Sequence, residues 1–492
     1  MAHHVLRALI AAAGLALVAM AVSGYLRQPS LLEEIRSDGV LIVATRLGPT
    51  TLYRTDDGPA GMDYDMASRL ADRLGVDLRL IVAESRTEMY QALASRRAHI
   101  AAGALSISAE RRDHFRFTPR YAQVDQHLVY HRGEAFPENP GELARADEAR
   151  IRVAASSQGA DRLRVLADGA LPDTWDIHPD ATTRELLYGV WTGNLDYTIV
   201  DSNELALNQS YYPELRVAFT FNEPQQLAWA VRRDGDDSLY GEVVDFLETI
   251  REDGTLASIR ERYYGYLSGF DYVGARTFLR HVTERLPRYR DMFQQAGEEY
   301  GIDWRLLAAI SYQESHWEPD AVSHTGVRGL MMLTQKTAER VGVSDRLVPD
   351  QAIVGGAQFF RWMLDRLPEQ ITMPDRRWLA LAAYNVGPGH LEDARTITET
   401  QGGNPDRWVD VRRHLPLLSD PEWYTKTRHG QARGEEPVHY VRGVRRYYAL
   451  LTRITDADRF RLDPERNPQE RRPFTARDAG HVRLPDVLRA LY

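Results

Sequence analysis

Between residues 31 and 264 short apolar runs alternate with amphipathic stretches, and this alternation limits the first half of the chain to a layered α/β fold. Residues 40–44 read as a buried strand, and residues 62–75 as a helix with Met66, Leu70 and Leu74 on one face. A strand over 76–82, a helix over 86–97 and a strand over 99–105 follow, and the same alternation returns from 151 to 201 and from 227 to 264. Such layers bind ligands at the carboxyl ends of their strands. Residues 265–289 lose the period and read as a linker.

A helical period takes over after residue 290. Gly301-Ile302-Asp303 offers a helix start, with Asp303 as N-cap. Leu307, Ile310 and Glu314 then recur at helical spacing, so a lone carboxylate shares the apolar face. A carboxyl group held against apolar surface loses hydration, which disfavours its charged form and raises its pKa. A general acid working near neutral pH needs that state.

Three later segments give Glu314 its context. Ala321 to Met332 carries Gly326 and Gly329, which permit a tight turn and close backbone approach. Tyr384 and Asn385 precede the breaker Gly387-Pro388-Gly389, at a helix end facing a loop. Glu436-Pro437-Val438-His439-Tyr440-Val441 comes last. In this order the segments resemble the catalytic domain of the soluble lytic transglycosylase family over residues 290–455, which implies a mainly α, lysozyme-like domain. The resemblance implies Glu314 as catalytic acid and then base, with Ser315 orienting it and Ser323 contacting the substrate's N-acetyl group. Tyr384 would lie near the carboxyl and the sugar, Asn385 would support its loop, and Glu436 would be a positioning group. One departure stands out: the family's Gly-Leu-Met-Gln has Met332 in place of the Gln, removing an amide that would bond substrate.

Ordinary glycosidases flank the scissile bond with two carboxylates. Near Glu314 the other acids, Glu318 and Asp320, lie in a polar loop with no claim to be a nucleophile. The resemblance implies substrate assistance instead, the sugar's acetamide stabilising the oxocarbenium-like centre. Glu314 would then deprotonate the C6 hydroxyl, giving a 1,6-anhydro end. The bond cut would be the β-1,4 link between N-acetylmuramic acid and N-acetylglucosamine in peptidoglycan, with no metal or organic cofactor. A lysozyme-like hydrolase releasing a reducing sugar, and a solute-binding receptor with an inactive catalytic domain, are the alternatives.

In the first half, Gly61 to Ala67, Leu105 to Arg111 with Phe117 to Tyr121, and Gly193 to Asp196 ending at Asp201 resemble the periplasmic solute-binding proteins for polar amino acids. That resemblance implies a two-lobed α/β clamp over 31–264. Ser106 and Arg111 would hold a ligand carboxylate, the guanidinium as a bidentate fork, while Asp201 receives an ammonium group. Ser157-Gln158-Gly159-Ala160 lacks the hydroxyl residue usual after the Gly, which weakens one helix-terminus contact to a carboxylate. A cell-wall peptide or an amino acid is the ligand expected, in a regulatory role.

Residues 1–23 carry His3, His4 and Arg7, an apolar run from Ala8 to Val22 and then small residues, the pattern of an export signal. An uncleaved anchor is the alternative, although the run falls short of the ~20 residues that span a bilayer comfortably. The absence of cysteine removes lipoprotein attachment and disulfides. A net charge of −9, mixed along the chain, leaves no nucleic-acid footprint. Residues 456–492 read as a charged Arg- and Pro-rich tail. The order of signal, two-lobed domain and catalytic domain resembles the membrane-bound lytic transglycosylases, implying a periplasmic enzyme peripherally associated with the outer membrane and acting on glycan strands.

Overall fold

The computed structural model describes residues 29–455 except 49, 56–57, 108, 156, 180, 210–211, 222–223 and 266–271. The expected export signal and the charged tail lie outside the described residues.

The first half forms two α/β lobes. In the first, strands lie in the order Asp77–Ala83, Val40–Arg46, Ile100–Ser106, Gln225–Arg232, Phe115–Phe117, with Ala122–Val124 also paired to Gln225–Arg232. The first three run parallel, and Gln225–Arg232 runs antiparallel to its neighbours. The second lobe orders its strands Trp175–His178, Ile151–Ala154, Tyr197–Asp201, Gln126–His131, Leu215–Thr220. The chain crosses between lobes twice, near residue 125 and again between 220 and 225, so two strand connections join the halves of the clamp. Leu41, Val43 and Ala44 are fully buried, as the continuous apolar run 40–44 requires of a central parallel strand. Helix Met62–Leu74 buries Met66, Leu70 and Leu74 on one face and stops at Gly75, whose φ of 71° suits a residue without Cβ.

The second half is helical. Helix Trp304–Ser315 is capped by Asp303, which accepts from Arg305 N, and packs against Glu435–Thr455 in a core holding Leu307, Ile310, Phe360, Leu379 and Val441. The expected linker is overturned in part: its described residues include helix Tyr272–Glu284 and a 3₁₀ turn at Leu286–Arg288. Ala275, Phe278, Leu279, Val282 and Leu286 are buried at helical spacing, and Phe278 packs on Tyr312, Trp317 and Tyr447. An apolar face of that kind must find a core. The catalytic core therefore begins before residue 290.

The halves meet where helix Thr255–Tyr264 packs on helix Trp408–His414. Arg407 donates to the Asp253 carbonyl at 2.6 Å and to Thr255 Oγ1 at 3.2 Å. Glu261 pairs with Arg412 at 3.0 Å and with Arg445 at 2.8 Å.

Candidate active site and ligand cleft

Glu314 is the penultimate residue of helix Trp304–Ser315. The helix ends there abruptly because His316 and Trp317 both adopt left-handed backbone, with φ of 53° and 59°. Two successive non-glycine residues in that region carry strain, of order 1 kcal/mol each. Trp317 holds the turn: its indole is buried and donates to the Ala308 carbonyl at 2.9 Å. The carboxyl is thus left half-buried at a helix end, reachable from one side.

The Tyr440 hydroxyl donates to Glu314 Oε1 at 2.6 Å. Tyr384 and Tyr440 stack with centroids 6.4 Å apart, so aromatic surface flanks the carboxyl. Burial pushes the Glu314 pKa up to about 7, against the lowering effect of the Tyr440 hydrogen bond. At neutral pH the group is poised between donating and accepting a proton.

Beside it, segment 330–332 is clamped by backbone bonds. Ser311 Oγ donates to the Leu330 carbonyl at 3.0 Å and Ser315 Oγ to the same oxygen at 2.9 Å. The Tyr384 hydroxyl donates to the Met331 carbonyl at 3.0 Å. Ser315 and Tyr384 therefore bind backbone, which fixes the wall of the site, and Ser315 does not reach Glu314 as expected. Its hydroxyl proton lies between the Ser311 and Leu330 carbonyls. Met332 completes this turn with φ of 46°.

Ser323 Oγ accepts from Val327 N at 3.0 Å and shapes the loop joined by the Val322–Arg328 bridge. Asn385 is exposed at the end of helix Asp375–Val386, where Gly387 with φ of 92° and Pro388 start the next helix. Glu436 is exposed and pairs with Arg433 at 3.0 Å. Among the described residues, the side chain that bonds Glu314 is Tyr440, which sequence reasoning gave no role. Its phenol, at an otherwise apolar face with Val441 and Val444, was the available signal.

In the first half, the lobes meet through charges. Arg46, closing strand Val40–Arg46, donates to Glu204 of the second lobe at 2.7 Å. Arg86 lies 3.7 Å from Asp201. Burial raises the Asp201 pKa to about 6, against the pull of Arg86. Burial also opposes ionisation of Glu204, but Arg46 and Arg86 hold its pKa below the usual range. Ser106 is buried at the end of its strand, and Arg111 sits over the Tyr90 ring at 5.3 Å. The guanidiniums facing Asp201 are thus those of Arg86 and Arg46. Sequence reasoning missed both, although Arg46 stands at a strand's carboxyl end, where ligand groups gather.

Residues 41–266 match the bacterial extracellular solute-binding proteins, family 3, and residues 291–406 match the transglycosylase SLT domain. Over 48% of its length the chain is also similar to all of a substrate-binding protein of an amino acid ABC transporter from Streptococcus pneumoniae bound to L-arginine, at 21% identity and a TM-score of 0.43. It is 50% identical over 436 residues to membrane-bound lytic murein transglycosylase F 1 of Alkalilimnicola ehrlichii, covering 87% of each chain. With membrane-bound lytic murein transglycosylase F of Ectopseudomonas mendocina it shares 46% identity over 440 residues, covering 89% of this chain and 90% of that one. The chain, with a solute-binding domain followed by a transglycosylase domain, belongs to the membrane-bound lytic murein transglycosylase F family.

Proposed function

We propose that this protein cleaves the β-1,4 link between N-acetylmuramic acid and N-acetylglucosamine without water, leaving a 1,6-anhydro end. The observation that carries this reading is a single half-buried carboxyl, Glu314, with a pKa near 7 and one phenolic donor at 2.6 Å. Protonated Glu314 donates to the leaving glycosidic oxygen. The substrate's acetamide stabilises the oxocarbenium-like centre, in place of a second carboxylate. Ionised Glu314, held by the Tyr440 hydroxyl, then takes the C6 hydroxyl proton, and that oxygen closes on the anomeric carbon. In this reading Ser323 contacts the substrate's N-acetyl group, Asn385 supports its loop and Glu436 is a positioning group. Digestion of purified peptidoglycan followed by mass spectrometry tests this: products lighter by one water, with no new reducing end, are expected. Reducing ends would convert the reading to hydrolysis.

The two-lobed domain, in this reading, binds a cell-wall peptide or amino acid between Arg111 with Ser106 on one lobe and Asp201 on the other. Binding can modulate cleavage only where the ligand prefers one arrangement of the lobes. Export to the periplasm and peripheral association with the outer membrane belong to the same proposal. No described helix is long and apolar enough to cross a membrane.

A further inference from the structure

Helix Pro349–Arg366 lies directly behind the wall segment that flanks Glu314. Its Gly356 packs on Met331 so closely that a Cβ there would fall 2.5 Å from Met331 Cε. The next turn of this helix continues an aromatic stack that starts at the Glu314 carboxyl. Tyr384, stacked on Tyr440, has the Phe359 ring centroid at 5.3 Å, and Phe359 stacks on Trp362 at 5.7 Å with the planes 15° apart. Tyr440 is buried, whereas Tyr384, Phe359 and Trp362 are half-buried, so the stack surfaces at Trp362.

Two guanidiniums from separate helices converge there on one indole. Arg366, in the last turn of the same helix, lies 4.8 Å from the Trp362 centroid, and Arg340, which ends helix Gln335–Arg340, lies 5.0 Å from it. Both are exposed, and among the described residues neither pairs with an acid. The acids next to them in sequence serve other partners: Asp365 accepts from Arg361 at 2.9 Å and Glu339 from Gln335 at 3.3 Å. Trp378 also carries two guanidiniums, but there Glu261 neutralises Arg445 at 2.8 Å. Like charges held on one apolar platform repel, and an anion between them relieves that cost. A carboxylate matches the planar fork bidentately. The stem peptides on the muramic acid units of peptidoglycan carry free carboxylates beside the glycan.

We propose that Arg340 and Arg366, seated on Trp362, form a subsite for a stem-peptide carboxylate of the bound glycan strand. The subsite rests on the glycan reading above, and a binding measurement keeps the two apart. The parent is the full chain carrying Glu314→Gln and Asp201→Asn, which stops cleavage and removes the ammonium site of the cleft. It is titrated calorimetrically with soluble peptide-bearing glycan strands, either with their carboxylates free or with those carboxylates converted to amides. Adding Arg340→Gln/Arg366→Gln should weaken binding of the free-acid strands at least fivefold and leave the amidated strands unchanged. Arg290→Gln, which removes a guanidinium from over Trp304 at the opposite end of the Glu314 helix, should change neither. An equal loss on both kinds of strand, no loss on the free-acid strands, or the same loss from Arg290→Gln would each overturn the subsite while leaving the glycan reading in place. Binding of neither kind of strand by the parent would overturn both.

Discussion

Arg445 and Glu261 join the two halves of the chain through a buried ion pair, with Nη1 of the arginine 2.8 Å from Oε1 of the glutamate. Their side chains are only 2% and 9% exposed, and Arg445 Nη2 also donates to the Glu261 carbonyl at 2.7 Å. Charges so desolvated are tolerated because the Arg445 guanidinium reaches the Glu261 carboxylate and the Glu261 and Arg262 carbonyls together. Arg445 stands on the same helix as Tyr440, so the pair ties the solute-binding domain to the element that holds the Glu314 partner.

Glu261→Gln should therefore leave Arg445 and Arg412 facing each other without a counter-charge. A loss of about 3 kcal/mol is expected, read as a lower denaturant midpoint. An unchanged midpoint would mean that water or another acid compensates, and that the interface is looser than its burial implies.

Glu314→Gln should abolish glycan cleavage while stabilising the fold at alkaline pH. The folded pKa near 7 lies above the ~4.3 of an unfolded Glu, so between these values the native state holds the extra proton. Stability contributed by the neutral acid is complete below the unfolded pKa and is lost as pH rises through 7. The variant escapes that loss. It should exceed wild type by about 3–4 kcal/mol at pH 8 and by almost nothing at pH 4, in denaturant titrations at the two pH values.

Tyr440→Phe removes the hydrogen bond that lowers the Glu314 pKa. Since the acid must start protonated, wild-type cleavage should fall as pH rises through about 7. In the variant that limb should move higher by roughly one pH unit, with the maximal rate reduced roughly tenfold or more. A pH–rate profile with an unmoved limb would separate Tyr440 from the chemistry.

Long periodic elements of this fold were legible in the sequence, because strands buried on both faces and amphipathic helices each leave a periodic trace. Helix Tyr272–Glu284 was missed although Ala275, Phe278, Leu279 and Val282 sit at helical spacing, since their partners lie on distant helices such as Glu435–Thr455. At the site, Glu314 stood out through its apolar register. Tyr440 did not, because a tyrosine packed in a core and one donating to a half-buried carboxyl look alike until residues 126 apart in sequence are brought within 2.6 Å. The cleft was obscured for the same reason: Arg46 and Glu204 are 158 residues apart, and their pairing depends on how two lobes close.

On the proposed reading, Asp201 should make ligand binding in the cleft depend on pH with a definite sign. Burial raises its pKa to about 6, so below that value it is mostly neutral and offers an ammonium group no counter-charge. Ionisation restores the attraction, and a ligand ammonium placed beside it would itself favour the charged form. Affinity for an amino acid or a diamino-acid wall peptide should therefore rise between pH 5 and 7 and level off above. Asp201→Asn should flatten that rise and weaken binding at pH 7.5 by about 2 kcal/mol, close to thirtyfold. Arg111→Ala should weaken it by a similar amount while keeping the pH dependence, which the Asp201 carboxyl carries. Calorimetry of the full chain at four pH values checks all three statements. Affinity that stays level from pH 5 to 8 would remove Asp201 from the ligand's ammonium site.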